Sequence, residues 1–328
     1  MKCINKWICL SLLIAVSCVS GCGKTSAVIE QPYDVYATAA DFGLSSNGSA
    51  EAKSYFASDL CVSEDVAIGT DSTDSQVAEG AGTFNLETNT VVYAKNLYER
   101  LYPASTTKIL TAYIALKYCD DLDAMVTVSE NAVTQASDSS VCNLKAGDVI
   151  RLRDLLYGLM LRSGNDAAVA IAEYISGDVD SFAALMNQEA AAMGATRSHF
   201  VNPNGLPDEN HYTCVYDMYL IFSNAIKNDT FVSIIGTTSY DVTYTDASGE
   251  GVTHTWENTN QYLTGNATTP DGFQIVGGKT GTTGEAGYCL VLYSYNPSGQ
   301  PIISIVFKAD GKSNLYLLMN EMLQGFAI

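Results

Sequence analysis

Ser105 and Lys108 place a hydroxyl and an amine three positions apart, a spacing that puts both side chains on one face of a helix. Pro103 ends the preceding segment and apolar residues then recur at helical spacing, so the sequence predicts a helix that starts at Ser105. The free N–H groups at a helix N-terminus favour negative charge developing on that serine. A serine with a neutral lysine in reach is a nucleophile with a general base, which is the chemistry of acyl transfer. A Ser-x-x-Lys pair also arises by chance as a helix cap and a solvated lysine, so the prediction depends on its companions.

Ser163 and Asn165 form a second group of polar side chains. They follow an apolar helical pattern over residues 152–161 and precede another that begins at Asp166, so we expect them on a tight loop between two helices. The Ser-x-Asn pattern recurs elsewhere in the chain, but this copy alone has that context. On such a loop the hydroxyl can relay a proton and the amide can donate to a substrate carbonyl.

A third group, Lys279-Thr280-Gly281-Thr282, follows a predicted strand over residues 273–276. Glycines around it allow a ligand or another backbone to approach closely. A lysine and two threonines at a strand edge are suited to bind a carboxylate, and free backbone N–H groups there can stabilise an oxyanion.

The pattern of strands and helices indicates a mixed α+β fold. A hairpin over residues 82–94 leads into the Ser105 helix, residues 109–235 are mostly helical, and three late strands precede a final helix over about residues 313–326. An early hairpin with three late strands predicts one five-stranded antiparallel sheet, flanked by helices and carrying an inserted helical lobe.

Composition excludes several classes of function. A formal charge of −19 over 328 residues argues against nucleic-acid binding, because phosphates require a basic surface. No Cys or His spacing typical of a metal site is present, and no cofactor is expected. Beyond the signal-like first 22 residues, five widely spaced cysteines remain, which we interpret mostly as buried thiols while one disulfide stays open.

The first 21 residues have the features of an export signal, with Lys2 and Lys6 before a short apolar run. The run ends in Val19-Ser20-Gly21-Cys22, which resembles the lipobox of bacterial lipoproteins, where the cysteine carries a lipid after cleavage. The alternative is an ordinary small-residue cleavage site with an incidental cysteine. Residues 22–78 are rich in small and polar residues and are predicted to be a mostly flexible, lipid-attached tether. The catalytic domain is then expected over residues 79–328.

The three motifs occur in the order typical of penicillin-binding proteins and class A β-lactamases. More of the chain, about residues 82–328, resembles the serine D-alanyl-D-alanine carboxypeptidases of peptidase family S11, the low-molecular-weight penicillin-binding proteins. In many members a histidine stands where this chain has Asn204. The resembling blocks are Tyr102-Pro103-Ala104-Ser105-Thr106-Thr107-Lys108, Ser163-Gly164-Asn165-Asp166-Ala167-Ala168, Phe200-Val201-Asn202-Pro203-Asn204-Gly205-Leu206 and Gly278-Lys279-Thr280-Gly281-Thr282-Thr283.

The resemblance implies the β-lactamase/DD-peptidase-like fold and a role for each motif residue. Ser105 is then the nucleophile, Lys108 its base and Ser163 the proton relay. Asn165 would hold the substrate backbone, and the backbone N–H groups of Ser105 and Thr282 would form the oxyanion hole. Lys279, Thr280 and Thr282 would bind the terminal carboxylate.

The resemblance also implies the partners and the location of the protein. The substrates would be peptidoglycan stem peptides that end in D-Ala-D-Ala, and β-lactams would be inhibitors. A lipid on Cys22 would hold the enzyme at the outer face of the bacterial cytoplasmic membrane.

Two alternatives remain open. A β-lactamase of the class A type would need a glutamate on a loop after the second motif to drive fast deacylation, and no Glu-x-x-x-Asn block is found there. A non-catalytic cell-wall-binding lipoprotein could keep the fold, but intact Ser105, Lys108 and Lys279 argue against it.

A Ser-His-Asp hydrolase is disfavoured because no Gly-x-Ser-x-Gly elbow is present, and His211 is interpreted as a packed structural residue.

Overall fold

A five-stranded antiparallel sheet is the centre of the computed structural model, which describes residues 57–328. Its strand order is β2-β1-β9-β8-β7, so the hairpin from the start of the chain pairs with the last strand. The predicted signal peptide, Cys22 and the part of the predicted tether up to residue 56 lie outside the described residues. The strands of this sheet are β1 (Ala78–Asn85), β2 (Thr90–Lys95), β7 (Gln274–Thr283), β8 (Gly287–Tyr295) and β9 (Pro301–Ala309).

A second, four-stranded antiparallel sheet of order β3-β4-β5-β6 was not predicted. Two of its strands are three residues long, and the other two form a hairpin whose outer positions are threonine, aspartate and glutamate. The strands are β3 (Met125–Thr127), β4 (Val149–Arg151), β5 (Ser239–Thr245) and β6 (Gly251–Glu257).

Nine α-helices surround the two sheets in the described part of the chain. The helices that were predicted from hydrophobic periodicity are present, with small differences at their ends. They are α1 (Lys108–Tyr118), α2 (Glu130–Val133), α3 (Leu152–Tyr157), α4 (Asn165–Ser176), α5 (Val179–Ala192), α6 (Val215–Ala225), α7 (Asp229–Ile235), α8 (Gln261–Thr264) and α9 (Lys312–Phe326). Among residues 57–328, none of the helices has both the length and the apolar content that a membrane span requires.

Alternating side chains of the five-stranded sheet pack into two hydrophobic cores. In β8, Cys289 and Val291 join the core that contains α1, α4 and α6, whereas Leu290 and Leu292 face α9. Both faces of this strand are therefore covered, which explains its nearly continuous apolar sequence. The arrangement confirms the predicted α+β class, the five-stranded antiparallel sheet and its flanking helices.

The compact unit begins at Asp59, earlier than the predicted domain start at residue 79. Cys61 is fully buried, and the hydroxyl of Tyr219 accepts a hydrogen bond from its backbone N–H. The Tyr216 and Tyr98 hydroxyls donate to the carbonyls of Cys61 and Ser63. Aromatic side chains therefore hold the start of this unit against the rest of the domain through backbone contacts.

Candidate active site

Ser105 lies at the start of a helix, as predicted, but the first turn of that helix is 3-10 rather than α. Residues Ala104–Thr107 form a 3-10 helix, and α1 follows directly at Lys108. Two glycines allow neighbouring segments to approach this turn. A Cβ atom on Gly205, which has φ of 87°, would stand 1.8 Å from the carbonyl oxygen of Ala104, and one on Gly281 would stand 3.0 Å from the backbone nitrogen of Ser105. The nucleophile is thus packed between the loop after residue 200 and strand β7.

The amine of Lys108 is fully buried and makes three polar contacts. Its Nζ atom lies 2.9 Å from Oγ of Ser105, 2.8 Å from Oδ1 of Asn165 and 2.6 Å from the backbone oxygen of Asn204. Burial lowers the pKa of Lys108 well below its usual value, and the positive charge of Lys279 lowers it further. The local field thus favours the neutral amine, the form in which a lysine can act as a base.

The three contacts also set the direction of the amine lone pair. A neutral amine has two N–H bonds and one lone pair, and two of its neighbours, Oδ1 of Asn165 and the Asn204 carbonyl, can only accept hydrogen bonds. When both are satisfied, the lone pair is directed at the remaining neighbour, the hydroxyl of Ser105. The geometry therefore suits proton transfer from Ser105 to Lys108.

Ser163 and Asn165 lie at the junction of two helical segments, as the pattern predicted. Ser163 has a left-handed backbone conformation with φ of 62°, and Asn165 begins α4. The buried carboxylate of Asp166 accepts hydrogen bonds from the backbone N–H groups of Cys142 and Leu144. These contacts fix the neighbouring loop, residues 134–144, against the second motif.

Lys279 lies inside β7, which is longer than the predicted strand and carries the whole third motif. The side chain is almost completely buried, and its amine donates to the carbonyl of Thr280 over 2.9 Å. Burial lowers the pKa of Lys279 to about 7. The Thr280 hydroxyl is 2.5 Å from that of Thr259, while Thr282 is exposed.

Two cavities meet at Ser105 and Thr282. The first, here the lysine-side cavity, has about 230 Å³ and is lined by Ser163, Thr280 and Lys312 among others. The second, here the acidic-side cavity, has about 410 Å³ and is lined by Asp138 and Glu285 among others. Together they form one cleft along the outer edge of β7, which no other described strand covers.

The predicted site residues meet around this cleft. Ser105, Ser163, Thr280 and Thr282 line it, and Asn165 lines the acidic side. Lys108 and Lys279 lie buried behind these residues and interact electrostatically. Cys22 lies outside the described residues, so its predicted lipidation stays a prediction.

Three contributions to the site were missed by sequence reasoning. The Asn204 carbonyl contacts Lys108, and Thr259 and Lys312 line the lysine-side cavity. The block around Asn204 was a signal, but its contact uses the backbone rather than the side chain. Nothing near Thr259 or Lys312 in the sequence indicated a role, because the fold brings them to the cleft. Among residues 57–328, no cluster of three side chains suited to a metal ion occurs.

His211 packs beneath the nucleophile turn, as the structural interpretation predicted. Its Nδ1 accepts from the backbone N–H of Val201 and its Nε2 lies 2.9 Å from the hydroxyl of Thr107. Burial lowers its pKa to about 4. The neutral ring therefore links the Ser105 turn to the loop that carries Asn204.

The motif geometry agrees with a comparison against protein families. The family described as Peptidase S11, D-alanyl-D-alanine carboxypeptidase, matches residues 69–311. The chain belongs to this family. The family predicted from the motifs is confirmed, and membership places the protein among the serine hydrolases.

Characterised relatives cover most of the described chain. The D-alanyl-D-alanine carboxypeptidase DacF of Bacillus subtilis is 33% identical over 75% of this chain and 61% of its own length. The D-alanyl-D-alanine carboxypeptidase of Streptomyces strain K15 is 34% identical over 76% of this chain and 88% of its own. The chain thus spans less than two thirds of the Bacillus relative but most of the Streptomyces one.

Solved structures confirm the fold. The crystal structure of the Streptomyces K15 DD-transpeptidase superimposes with a TM-score of 0.71 and 33% identity, covering 77% of this chain and 98% of that one. The D-alanyl-D-alanine carboxypeptidase DacD of Francisella tularensis gives a TM-score of 0.67 and 28% identity, covering 81% and 72%. S11 architecture therefore extends over the described catalytic unit.

Proposed function

We propose that this chain is a serine D,D-carboxypeptidase that removes the terminal D-alanine from peptidoglycan stem peptides. The observation that carries the proposal is the buried Lys108 amine, which lies 2.9 Å from the Ser105 hydroxyl. Family membership supports the substrate, since the relatives named above carry the name D-alanyl-D-alanine carboxypeptidase.

In the proposed first step, Oγ of Ser105 attacks the carbonyl carbon of the penultimate D-alanine. Neutral Lys108 takes the hydroxyl proton as the new C–O bond forms. The tetrahedral oxyanion lies at the backbone N–H groups of Ser105 and Thr282, which are preorganised donors. The peptide C–N bond then breaks, and the D-alanine amine leaves with a proton relayed through Ser163.

In the second step, water cleaves the acyl ester on Ser105 and releases the shortened stem. Before the first step, Asn165 holds the substrate backbone, and the groups of the third motif bind the terminal carboxylate that later leaves with D-alanine: Lys279, Thr280 and Thr282. A β-lactam presents a similar carboxylate and a strained amide to the same groups, so it acylates Ser105 and inhibits the enzyme.

The proposal includes export and anchoring. An apolar run that ends in Cys22 supports cleavage before that residue and a lipid on its thiol, which would hold the enzyme at the outer face of the cytoplasmic membrane. Labelled palmitate incorporated into the wild-type chain but not into Cys22→Ala would support this anchor, and equal incorporation would overturn it.

D-alanine release tests the proposed activity. The full chain, incubated with a stem pentapeptide, is expected to release one D-alanine per peptide, and Ser105→Ala should lower the rate by at least about a thousandfold. Activity retained by Ser105→Ala would refute the nucleophile. Addition of an acceptor amine measures how much acyl-enzyme passes to an amine rather than to water.

A further inference from the structure

The catalytic cleft has opposite charges at its two ends. In the lysine-side cavity, Lys312 is the only charged side chain of the lining. In the acidic-side cavity, the only charged side chains are Asp138, on the loop of residues 134–144, and Glu285, in the turn after β7. Neither carboxylate has a cationic partner within 4 Å among the described residues.

The proposed function gives the direction in which a stem peptide crosses this cleft. Its scissile carbonyl lies at Ser105 and Thr282, and its terminal carboxylate lies toward Thr280, on the lysine side. The residues before the scissile bond must then extend past Thr283 toward Glu285. This direction is antiparallel to β7, whose outer edge is free to pair with an extended peptide.

An unpaired donor supports a peptide ligand at this end. Asn165 is 4% exposed and lines the acidic-side cavity. Its Oδ1 accepts from Lys108, but its amide Nδ2 has no hydrogen-bond partner among the described residues. Because Asn165 lines the cavity, this free donor is available to a ligand, and a backbone carbonyl of the bound stem supplies the acceptor.

We propose that Asp138 and Glu285 select stem peptides whose third residue, the one before D-Ala-D-Ala, carries a free side-chain amine. This inference rests on the proposed function. Once Ser105 and Asn165 hold the backbone, the third side chain lies between the two carboxylates. A cationic amine there is attracted, whereas an acylated amine gains nothing and a side-chain carboxylate is repelled.

The expected size of the preference for a free amine follows from the solvent exposure of Asp138 and Glu285. Both carboxylates are exposed, so each contact is comparable to a surface ion pair and is screened by salt. We expect the free amine to raise kcat/KM about threefold to tenfold at low ionic strength, mainly through KM.

Two peptides test the proposal with the full chain. Nα-acetyl-L-Lys-D-Ala-D-Ala keeps the ε-amine free, and the Nα,Nε-diacetyl form blocks it. The ratio of their kcat/KM values is measured at about 20 mM and about 300 mM salt. The wild type should prefer the free amine, and the ratio should fall at high salt. In Asp138→Asn/Glu285→Gln the ratio should be close to one at both concentrations.

Glu250→Gln is the matched control, because Glu250 is an exposed carboxylate outside both cavities, before β6. It should keep the wild-type ratio. A wild-type ratio of one at low salt, or a ratio that survives in the double variant, overturns the selectivity while leaving the proposed activity intact. If the wild type releases D-alanine from neither peptide and forms no ester with penicillin, the proposed function itself fails. Penicillin labelling of the double variant shows that it is folded.

Discussion

The amine of Lys108 lies within hydrogen-bond distance of the Ser105 hydroxyl, while the pKa of that lysine is held well below its usual value. The two facts belong together, because an amine with a normal pKa would be protonated and could not accept a proton at neutral pH. Desolvation is the largest cause, and the second is the charge of Lys279. Burial and the charge of Lys279 thus keep Lys108 in the neutral form that can act as a base.

In the plot of acylation rate against pH, Lys279→Gln should shift the acidic limb to higher pH. Its charge lowers the pKa of Lys108, so removing it raises that pKa, and more alkaline conditions are needed to keep Lys108 neutral. With a pKa of about 7, Lys279 is charged chiefly below that pH, where the difference should be largest. The measurement is the rate of penicillin acylation between about pH 5 and 10.

Lys312→Gln is the control for this experiment, since Lys312 is exposed and is not among the causes of the Lys108 shift. Its acidic limb should stay at the wild-type position even if its rate is lower. A limb that stays in place or moves to lower pH in Lys279→Gln would contradict the electrostatic account.

His211 should make the folded state less stable in acid. Its pKa is about 4 in the folded protein and about 6.5 when unfolded. The contribution of neutral His211 to the free energy of unfolding is therefore complete above about pH 6.5 and is lost as pH falls toward 4; its size is on the order of 3 kcal/mol. In urea unfolding, His211→Gln should be less stable than the wild type at pH 7, and this gap should narrow toward pH 4.5. A constant gap would contradict the prediction.

Tyr219→Phe should lower the free energy of unfolding by about 1–2 kcal/mol, because the buried N–H of Cys61 loses its acceptor. Tyr174→Phe is the comparison, since Tyr174 is 43% exposed and its hydroxyl has no hydrogen-bond partner among the described residues. It should cost less than about 0.5 kcal/mol. A loss in Tyr219→Phe as small as that in Tyr174→Phe would show that the segment around Cys61 is not an integral part of the fold.

Asp166→Asn should loosen the loop that borders the second motif. An amide replaces one carboxylate oxygen with a donor, so the N–H groups of Cys142 and Leu144 on Oδ2 and of Ala167 on Oδ1 can no longer all be satisfied. Their amide hydrogens should exchange faster, with a loss of stability of about 1–3 kcal/mol. Asp180→Asn, on an exposed turn of α5, should leave their exchange unchanged. Exchange as slow in Asp166→Asn as in the wild type would contradict this role.

Local sequence patterns were sufficient to predict the five-stranded sheet and the three motifs. The nearly continuous apolar runs of β8 and β9 and the helical period after Lys108 are set by neighbours in sequence, so they predicted their elements well. The hairpin of β5 and β6 was missed because its exposed face is polar and only Val242, Tyr244 and Trp256 are buried.

Contacts between distant segments could not be predicted. The Asn204 carbonyl reaches Lys108 because Gly205 admits the loop beside Ala104, a fit that exists only in three dimensions. Likewise, the pKa shift of Lys108 depends on burial by the assembled domain. The order of the motifs nevertheless identified the residues that the fold brings together.

The most direct test of the account is the intact mass of the full chain after exposure to benzylpenicillin, followed by peptide mapping of the adduct. The account predicts one covalent penicilloyl group on Ser105 in the wild type, a strongly slowed reaction in Lys108→Gln and none in Ser105→Ala. An adduct on another residue, or an unmodified wild-type chain, would contradict it.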